Sequence, residues 1–237
     1  MPQQHGRLFL LPSPIVEGDL TGIPQHEIQV LHGLRYFIVE RERTARRFIA
    51  ATKPPVAIDE LHLYEMPVQP ETMHQAELQL KPLLEGHDLG ILSEAGLPAV
   101  ADPGNVYVAA AHQLGIEVIP LPGPSSMMMA LMASGLQGQR FAFHGYLSPR
   151  KDELIRQLKD LEHRADRDDA TQLFMETPYR NHQIIEAVEK AFNPERMFCI
   201  AAGIGGENAF IRTRSVKEWK KSGWPEIHKV PAVFLLR

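Results

Sequence analysis

The sequence predicts an α/β protein with two α/β domains, the first built on a mostly parallel sheet and the second on a mixed sheet. In the first half of the chain, short apolar runs alternate with segments of helical spacing, as in successive βα units. In the second half, the last apolar runs follow each other too closely for every connection to be a helical crossover. Between the halves, the proline-rich run 120–124 is typical of a rigid loop.

This loop divides the chain into an N-terminal domain, residues 1–122, and a C-terminal domain, residues 123–237. In the N-terminal domain, apolar runs predict strands at residues 7–11, 35–39, 56–61, 89–92 and 116–121. Helical spacing predicts helices at residues 25–31, 41–50, 73–84 and 106–114. Asn105 is the expected cap of the last helix, and Gly115 ends it.

The C-terminal domain is expected to begin with a helix at residues 126–134. Strands are predicted at residues 141–145, 172–176, 197–202, 209–214 and 232–236, and helices at 151–163, 179–192 and 216–221. The single cysteine, Cys199, lies within an apolar run, which favours a buried thiol over a reactive one.

Composition narrows the function classes. Of the 237 residues, 44% are hydrophobic and 23% charged, which is ordinary for a globular protein. The net charge of −4 lacks the strongly basic footprint of many nucleic-acid-binding proteins, although a local basic patch would suffice for RNA. Because there is neither a signal-peptide pattern nor an apolar stretch of ~20 residues, we expect a cytoplasmic protein without membrane contact.

The first candidate ligand loop runs from Ser93 to Gly104, directly after a predicted buried strand. Ligands of open α/β sheets bind at the carboxyl ends of strands, where Gly96 allows close approach and Glu94 offers a carboxylate. The same residues also fit two ordinary turns with Asp102 as a local cap, and the pattern alone leaves both interpretations open.

The second candidate loop, residues 122–126, opens a methionine-rich helix. A helix N-terminus with the hydroxyls of Ser125 and Ser126 is suited to holding a carboxylate. A serine cap above a buried methionine stripe is the structural alternative. The four arginines of residues 41–47 fit either a solvated helix face or a phosphate-contacting patch.

Other familiar motifs are missing from the sequence. The histidines are scattered, with neither a His-Glu-x-x-His motif nor a Cys/His cluster, so no metal site is predicted. The sequence also lacks a P-loop motif, and the absence of a Gly-x-Ser-x-Gly motif weighs against a serine hydrolase.

Taken together, the loops resemble the tetrapyrrole methylase superfamily of S-adenosylmethionine-dependent methyltransferases. Within it, the chain is most similar to the 16S ribosomal RNA cytidine 2′-O-methyltransferase branch. The resemblance covers nearly the whole chain in the family's order, with the most specific matches at residues 93–98, 102–104, 119–126 and 133–136. Further matches are residues 13–15, Glu40 with Arg43 and Arg46, residues 143–147, and residues 175–180.

The resemblance implies a cleft between two α/β domains that binds S-adenosylmethionine, usually within a homodimer. The implied cofactor-binding residues of the two loops are Ser93, Glu94, Ala95, Leu97, Ser125, Ser126 and Met127. Those from the second domain are Met175, Ile204 and Ala232. The chain departs from the branch at Glu94, which replaces the usual Asp, at residues 16–17, and at residues 201–206, where Arg, Glu, Thr and Lys are absent.

The implied activity is methylation of a ribose 2′-hydroxyl in ribosomal RNA, which needs in-line positioning and removal of one proton. Glu40 and Glu176 are the candidate bases, and Arg43, Arg46 and Arg180 the candidate phosphate-contacting residues. Two alternatives remain. One is a methyltransferase for a tetrapyrrole or another small molecule, and the other is a non-catalytic cofactor-binding protein.

Overall fold

The computed structural model describes residues 5–67 and 72–237. The chain forms two compact units, Met1–Ser125 (unit 1) and Ser126–Arg237 (unit 2). The division therefore falls after Ser125, three residues beyond the boundary that the proline-rich loop predicts at Pro122.

Unit 1 contains one five-stranded sheet in the order β3-β2-β4-β1-β5, and all of its strand pairs are parallel. Its strands are β1 (Leu8–Leu11), β2 (Tyr36–Val39), β3 (His62–Glu65), β4 (Leu89–Leu92) and β5 (Val118–Pro120). Its helices are α1 (Gln25–Gly33), α2 (Glu42–Ala51), α3 (Met73–Gln79), α4 (Lys81–Leu84) and α5 (Asn105–Gln113).

The helices of unit 1 cover both faces of this sheet. Residues of α1 and α2 pack with Phe9, Phe37 and Leu92 on one face, and residues of α3, α4 and α5 pack with Leu8 and Ile91 on the other. The chain moves along the sheet in one direction from β1 to β3 and in the opposite direction from β3 to β5. Right-handed crossovers then place the two sets of helices on opposite faces.

Three predictions for unit 1 are wrong in detail. The strand expected at residues 56–61 is instead a 3₁₀ turn at Ile58–Glu60, where the Glu60 carboxylate accepts a hydrogen bond from the Ala57 backbone N–H at 3.3 Å. The helix expected at 73–84 divides at Leu80, because Pro82 has no N–H with which to continue the helical hydrogen bonds. Asn105 is the first helical residue of α5 and not its cap, since Gly104 with φ +127° occupies that position.

Unit 2 contains a mixed five-stranded sheet in the order β6-β7-β10-β8-β9, in which only β6 and β7 pair in parallel. Its strands are β6 (Phe141–Tyr146), β7 (Thr171–Glu176), β8 (Met197–Ala202), β9 (Phe210–Ser215) and β10 (Ala232–Leu236). Its helices are α6 (Ser126–Ser134), α7 (Lys151–Arg167), α8 (Asn181–Ala191) and α9 (Val216–Ser222). The helix predicted from residue 179 begins two residues later, after a 3₁₀ turn at Pro178–Arg180.

The core of unit 2 also has two sides. Residues of α7, α8 and α9 pack on one face of the sheet around the stacked rings of Phe174, Phe198 and Phe234. Residues of α6 cover the other face, which includes Val233 and the fully buried Cys199. Burial raises the pKa of the Cys199 thiol, which fits the inert role predicted for it. None of the helices within residues 5–67 and 72–237 has the length and apolar character needed to cross a membrane.

Candidate functional site

The carboxyl ends of β1, β2 and β4 meet at one edge of the parallel sheet of unit 1. Strand β4 lies between β2 and β1. It is followed by α5 on one face of the sheet, whereas β1 and β2 are followed by α1 and α2 on the other face. Open α/β sheets bind ligands in the crevice that such a reversal creates. The loop predicted at residues 93–104 begins at this edge.

Hydrogen bonds join this loop to the one that follows β1. Ser13 and Gly96 exchange two backbone hydrogen bonds, N–H of Ser13 to O of Gly96 at 2.8 Å and N–H of Gly96 to O of Ser13 at 3.0 Å. The Ser13 hydroxyl also donates to the Ser93 carbonyl oxygen at 2.8 Å. Because Ser13 and Ser93 are both buried, the start of the loop has a fixed position relative to β1.

The Pro-Gly-Pro loop lies against both of these segments. A Cβ atom on Gly123 would stand only 2.1 Å from Cβ of Pro12, so the close approach of the two loops requires glycine at this position. A Cβ on Gly96 would stand 3.5 Å from the carbonyl oxygen of Pro124. The three loops therefore form one packed surface within unit 1, and Ser125 follows directly after it.

Two alanines of the loop after β4 have left-handed backbones. Ala99 and Ala101 both have φ of 63°, a region that costs roughly 1–2 kcal/mol for a residue with a Cβ. The Ala99 backbone N–H donates to the Pro103 carbonyl oxygen at 3.3 Å and so helps to hold this conformation. Strained backbone of this kind persists where the surrounding structure imposes it, and it is frequent at ligand sites.

Glu40, one of the two candidate bases, contacts the loop directly. Its Oε2 atom accepts a hydrogen bond from the Glu94 backbone N–H at 2.9 Å, and its own N–H donates to the Leu92 carbonyl oxygen at 3.1 Å. The Glu94 carboxylate in turn accepts a hydrogen bond from the Thr44 hydroxyl at 3.0 Å. One oxygen of Glu40 thus positions the loop, while Oε1 has no hydrogen-bond partner among residues 5–67 and 72–237.

Asp102 is the titratable group that the sequence interpretation missed. Burial, and after it the negative charges of Glu40 and Glu94, raise the pKa of Asp102 to about 6, against a lowering by the hydrogen bond from the Ser93 hydroxyl. Three carboxylates therefore share the edge of the sheet at the carboxyl ends of β2 and β4. The sequence analysis interprets Asp102 only as a turn residue. Its position in the same loop as Glu94, eight residues further along the chain, is the signal that could have identified it as a candidate site residue.

The candidate residues of unit 2 lie at one end of its mixed sheet. In the pairing of β7 with β10, Met175 lies opposite Val233 and Glu176 opposite Ala232. Ile204 is in the turn after β8, where the Gly203 N–H donates to the Pro231 carbonyl oxygen at 2.9 Å. Because Ala232 also pairs with Ala202 on β8, the three predicted cofactor residues of this sheet are brought together.

Ser126 and Met127 form the start of α6. Since the helix begins at Ser126, the capping position belongs to Ser125. Met127 is buried, and Met128 is exposed. The methionine run is thus only in part a core stripe.

Glu176, the other candidate base, is enclosed. Its side chain is fully buried, with Oε1 accepting the Thr177 N–H at 2.7 Å and Oε2 lying 3.1 Å from Nη1 of Arg180 without hydrogen-bond alignment. Arg180 also donates to the Ser148 carbonyl oxygen at 2.9 Å. Arg180, a predicted phosphate contact, therefore holds a buried carboxylate and a loop in place.

The predicted phosphate contacts on α2 differ from each other. Arg46 pairs with Glu42 at 2.9 Å and with Asp59 at 3.0 Å, which neutralises most of its charge locally. Arg43 is exposed and makes no ion pair within the described part of the chain. The same described residues contain no group of three or more His, Cys, Asp or Glu side chains arranged to hold a metal ion.

Comparison with known proteins supplies three kinds of match. The family of Tetrapyrrole (Corrin/Porphyrin) Methylases matches residues 27–219. Ribosomal RNA small subunit methyltransferase I from Vibrio cholerae is 30% identical over 198 residues, 82% of this chain and 63% of that protein. The protein of the same name from Escherichia coli O157:H7 is 28% identical over 232 residues, 98% of this chain and 71% of that protein. This chain therefore spans less than two thirds of the first of these relatives.

Solved structures match the fold. The methyltransferase CobJ superposes with a TM-score of 0.64 at 19% identity, over 98% of this chain and 93% of that one. Uroporphyrin-III-C-methyltransferase from Thermus thermophilus gives a TM-score of 0.58 at 18% identity, over 98% and 94%. The predicted fold class, a parallel first sheet and a mixed second sheet, is confirmed.

Proposed function

Because the chain belongs to the tetrapyrrole (corrin/porphyrin) methylase family, we propose that it is an S-adenosylmethionine-dependent methyltransferase whose acceptor is small-subunit ribosomal RNA. The proposed RNA acceptor rests on the names of its relatives, which are ribosomal RNA small subunit methyltransferases. We further propose that the protein acts as a homodimer, as its resemblance to the family implies, and that it acts in the cytoplasm, as its sequence leads us to expect.

The observation that supports a cationic cofactor most directly is the cluster of three carboxylates at the edge of the unit 1 sheet. Glu40, Glu94 and the partly buried Asp102 repel one another, which contributes to the raised pKa of Asp102. A ligand with a positive charge relieves this repulsion, and S-adenosylmethionine has both a sulfonium and an ammonium group. Ser93, Ala95 and the other proposed cofactor residues of this unit belong to the same packed loops.

The proposed cofactor residues outside this edge are Leu97 in the same loop, Ser125 at the end of unit 1, and Ser126, Met127, Met175, Ile204 and Ala232 in unit 2. Ser126 begins α6, whose first turn presents backbone N–H groups that suit a carboxylate. Met127 and Ile204 have apolar side chains, which suit contact with apolar parts of a ligand.

Bound S-adenosylmethionine supplies an electrophilic methyl group, so the protein's own residues orient the acceptor and take up its proton. Glu40 is the better placed of the two candidate bases. Its Oε1 atom is unengaged among the described residues, whereas Oε1 of Glu176 accepts the Thr177 N–H and Oε2 of Glu176 lies against Arg180. Arg43 is the proposed phosphate contact on α2, because Arg46 and Arg180 are held by carboxylates.

The ion pairs that Arg46 and Arg180 form with carboxylates also favour a second candidate function, methylation of a small-molecule acceptor. Cations that are already neutralised add little attraction for a polyanion. A tetrapyrrole or another small metabolite would need fewer free cations than RNA.

The test is methyl transfer from tritium-labelled S-adenosylmethionine to small ribosomal subunits from a strain that lacks this protein. We expect label in RNA that survives alkaline hydrolysis as a dinucleotide, because a 2′-O-methyl group blocks cleavage at that phosphate. Glu40→Gln keeps an oxygen for the Glu94 N–H but cannot take a proton, so it should lower kcat more than Glu176→Gln does. Cofactor binding without label in RNA would contradict the RNA acceptor. The absence of both cofactor binding and methyl transfer would contradict the proposal that the protein is a methyltransferase.

A further inference from the structure

We propose that the edge strand β9 of the unit 2 sheet, together with α9 on the adjoining face, forms a surface that binds the phosphate backbone of RNA. The β9–α9 surface consists of Arg212, Arg214, Lys220 and Lys221. The inference rests on the proposed function, since it takes RNA as the acceptor, and it assigns the RNA contact to residues outside the resemblance motifs.

The charge of this surface opposes that of the whole chain. Residues 210–222 carry five cationic side chains and one carboxylate, in a protein of net charge −4. The carboxylate, Glu218, accepts hydrogen bonds from the Ser215 backbone N–H at 2.9 Å and the Ser215 hydroxyl at 2.8 Å, and so serves as part of the cap of α9. The pKa of Glu218 is lowered first by these bonds, with further lowering by the charges of Lys217 and Arg214.

Most of these cations lack an anionic partner. Lys217 pairs with Glu195 at 2.6 Å. The four residues of the β9–α9 surface make no ion pair with a carboxylate in residues 5–67 and 72–237. Positive charge available to a polyanion is therefore concentrated here, in contrast to α2, where Arg46 is neutralised by two carboxylates.

Aromatic rings hold the two arginines. The guanidinium carbon of Arg212 lies 5.5 Å from the ring centre of Phe210, and that of Arg214 lies 5.1 Å from the ring centre of Trp219. Being two residues apart on one strand, the arginines project from the same face of β9. Restrained guanidinium groups lose less entropy on binding, and their planar donors match phosphate oxygens.

The position of β9 offers a competing role for the same residues. It is an edge strand, so its outer backbone groups have no strand partner in this sheet. Protection of an edge strand from pairing with another protein would by itself account for cationic side chains at this position. The experiment must therefore separate RNA binding from protection of the edge.

We would measure binding of the full chain to a short fluorescein-labelled RNA hairpin by fluorescence anisotropy, at salt concentrations from about 50 to about 200 mM. Each phosphate contact contributes about 0.7–0.9 to the slope of log K against log salt. Arg212→Gln/Arg214→Gln should reduce the slope by about 1.4–1.8, so that the wild type loses about 7–12-fold more affinity than the variant over this salt range. Arg212→Gln/Lys221→Gln tests the surface with the Arg214–Trp219 contact intact.

The matched control is Arg164→Gln/Arg167→Gln on α7, which removes the same charge from residues that pair with Asp160 and Asp168. Its slope should equal that of the wild type. If ribosomal RNA is methylated but the folded β9–α9 variants keep the wild-type slope, the surface is wrong and the proposed function stands. Absence of RNA binding by the wild type would overturn both the surface and the RNA acceptor, while cofactor binding would still test the methyltransferase.

Discussion

Replacing Asp102 by asparagine should raise the free energy of unfolding at neutral pH. Burial and the charges of Glu40 and Glu94 raise the pKa of Asp102 from 3.8 to about 6 in the folded protein. Below the unfolded-state pKa, both states are protonated and there is no cost. As the pH rises through the folded-state pKa of about 6, the folded protein must ionise a partly buried carboxyl group, and stability is lost.

The magnitude follows from the shift. About two pKa units correspond to ~3 kcal/mol at 1.36 kcal/mol per unit. Because the side chain is partly exposed, we discount this for solvent screening and expect ~1–2 kcal/mol. Asparagine retains an oxygen for the bond with the Ser93 hydroxyl, so the difference between variant and wild type should be near zero at about pH 4 and full above about pH 7.

The assay is urea unfolding across this pH range, followed by far-UV circular dichroism and by hydrogen exchange of the β4 amides. The two tryptophans, Trp219 and Trp224, both belong to unit 2, so their fluorescence serves as an internal reference. Asp166→Asn is the control of opposite sign, since the bond from Arg196 lowers the pKa of Asp166 and its contribution is lost as the pH falls. A stability difference for Asp102→Asn that is independent of pH, or negative at neutral pH, would refute the reasoning.

Three further predictions concern the ligand. S-adenosylmethionine at ~100 times its dissociation constant should raise the free energy of unfolding by ~2.7 kcal/mol; no heat in calorimetry and no thermal shift would contradict it. Ser126→Ala should weaken cofactor binding by about 2- to 13-fold, which corresponds to the loss of a hydrogen bond of ~0.5–1.5 kcal/mol. Its Tm should change little, because Ser125 occupies the capping position of α6. A variant with wild-type affinity would remove Ser126 from the site. EDTA should leave methyl transfer intact, and loss of activity that a divalent ion restores would show a metal requirement.

The elements that the sequence predicts well are those with an unambiguous apolar pattern. The observed bounds of α6, β8 and β10 equal the predicted ones, since each is a mainly apolar run followed directly by a glycine or, for β10, by Arg237. The strand predicted at 56–61 fails because Glu60 bonds the Ala57 backbone locally, a competition between side chain and strand that hydropathy does not express.

For the candidate site, the sequence indicates which loops matter but not how their groups pair. The bond from the Glu94 N–H to Glu40 joins residues 54 positions apart, and the pair of Arg46 and Asp59 joins residues in different elements. The raised pKa of Asp102 depends on burial and on two neighbouring charges, and both exist only in the folded chain.

The left-handed backbones of Ala99 and Ala101 have a consequence for protein engineering. Glycine at either position would remove a steric cost of ~1–2 kcal/mol, against ~0.5–1 kcal/mol of extra chain entropy lost on folding. A library screened for heat tolerance would therefore enrich glycine at these two positions. Each such substitution would also widen the range of shapes available to the loop, and a library screened for turnover should reject it. The two screens would thus select different residues at one short stretch of chain, and sequencing both survivor pools would reveal the conflict.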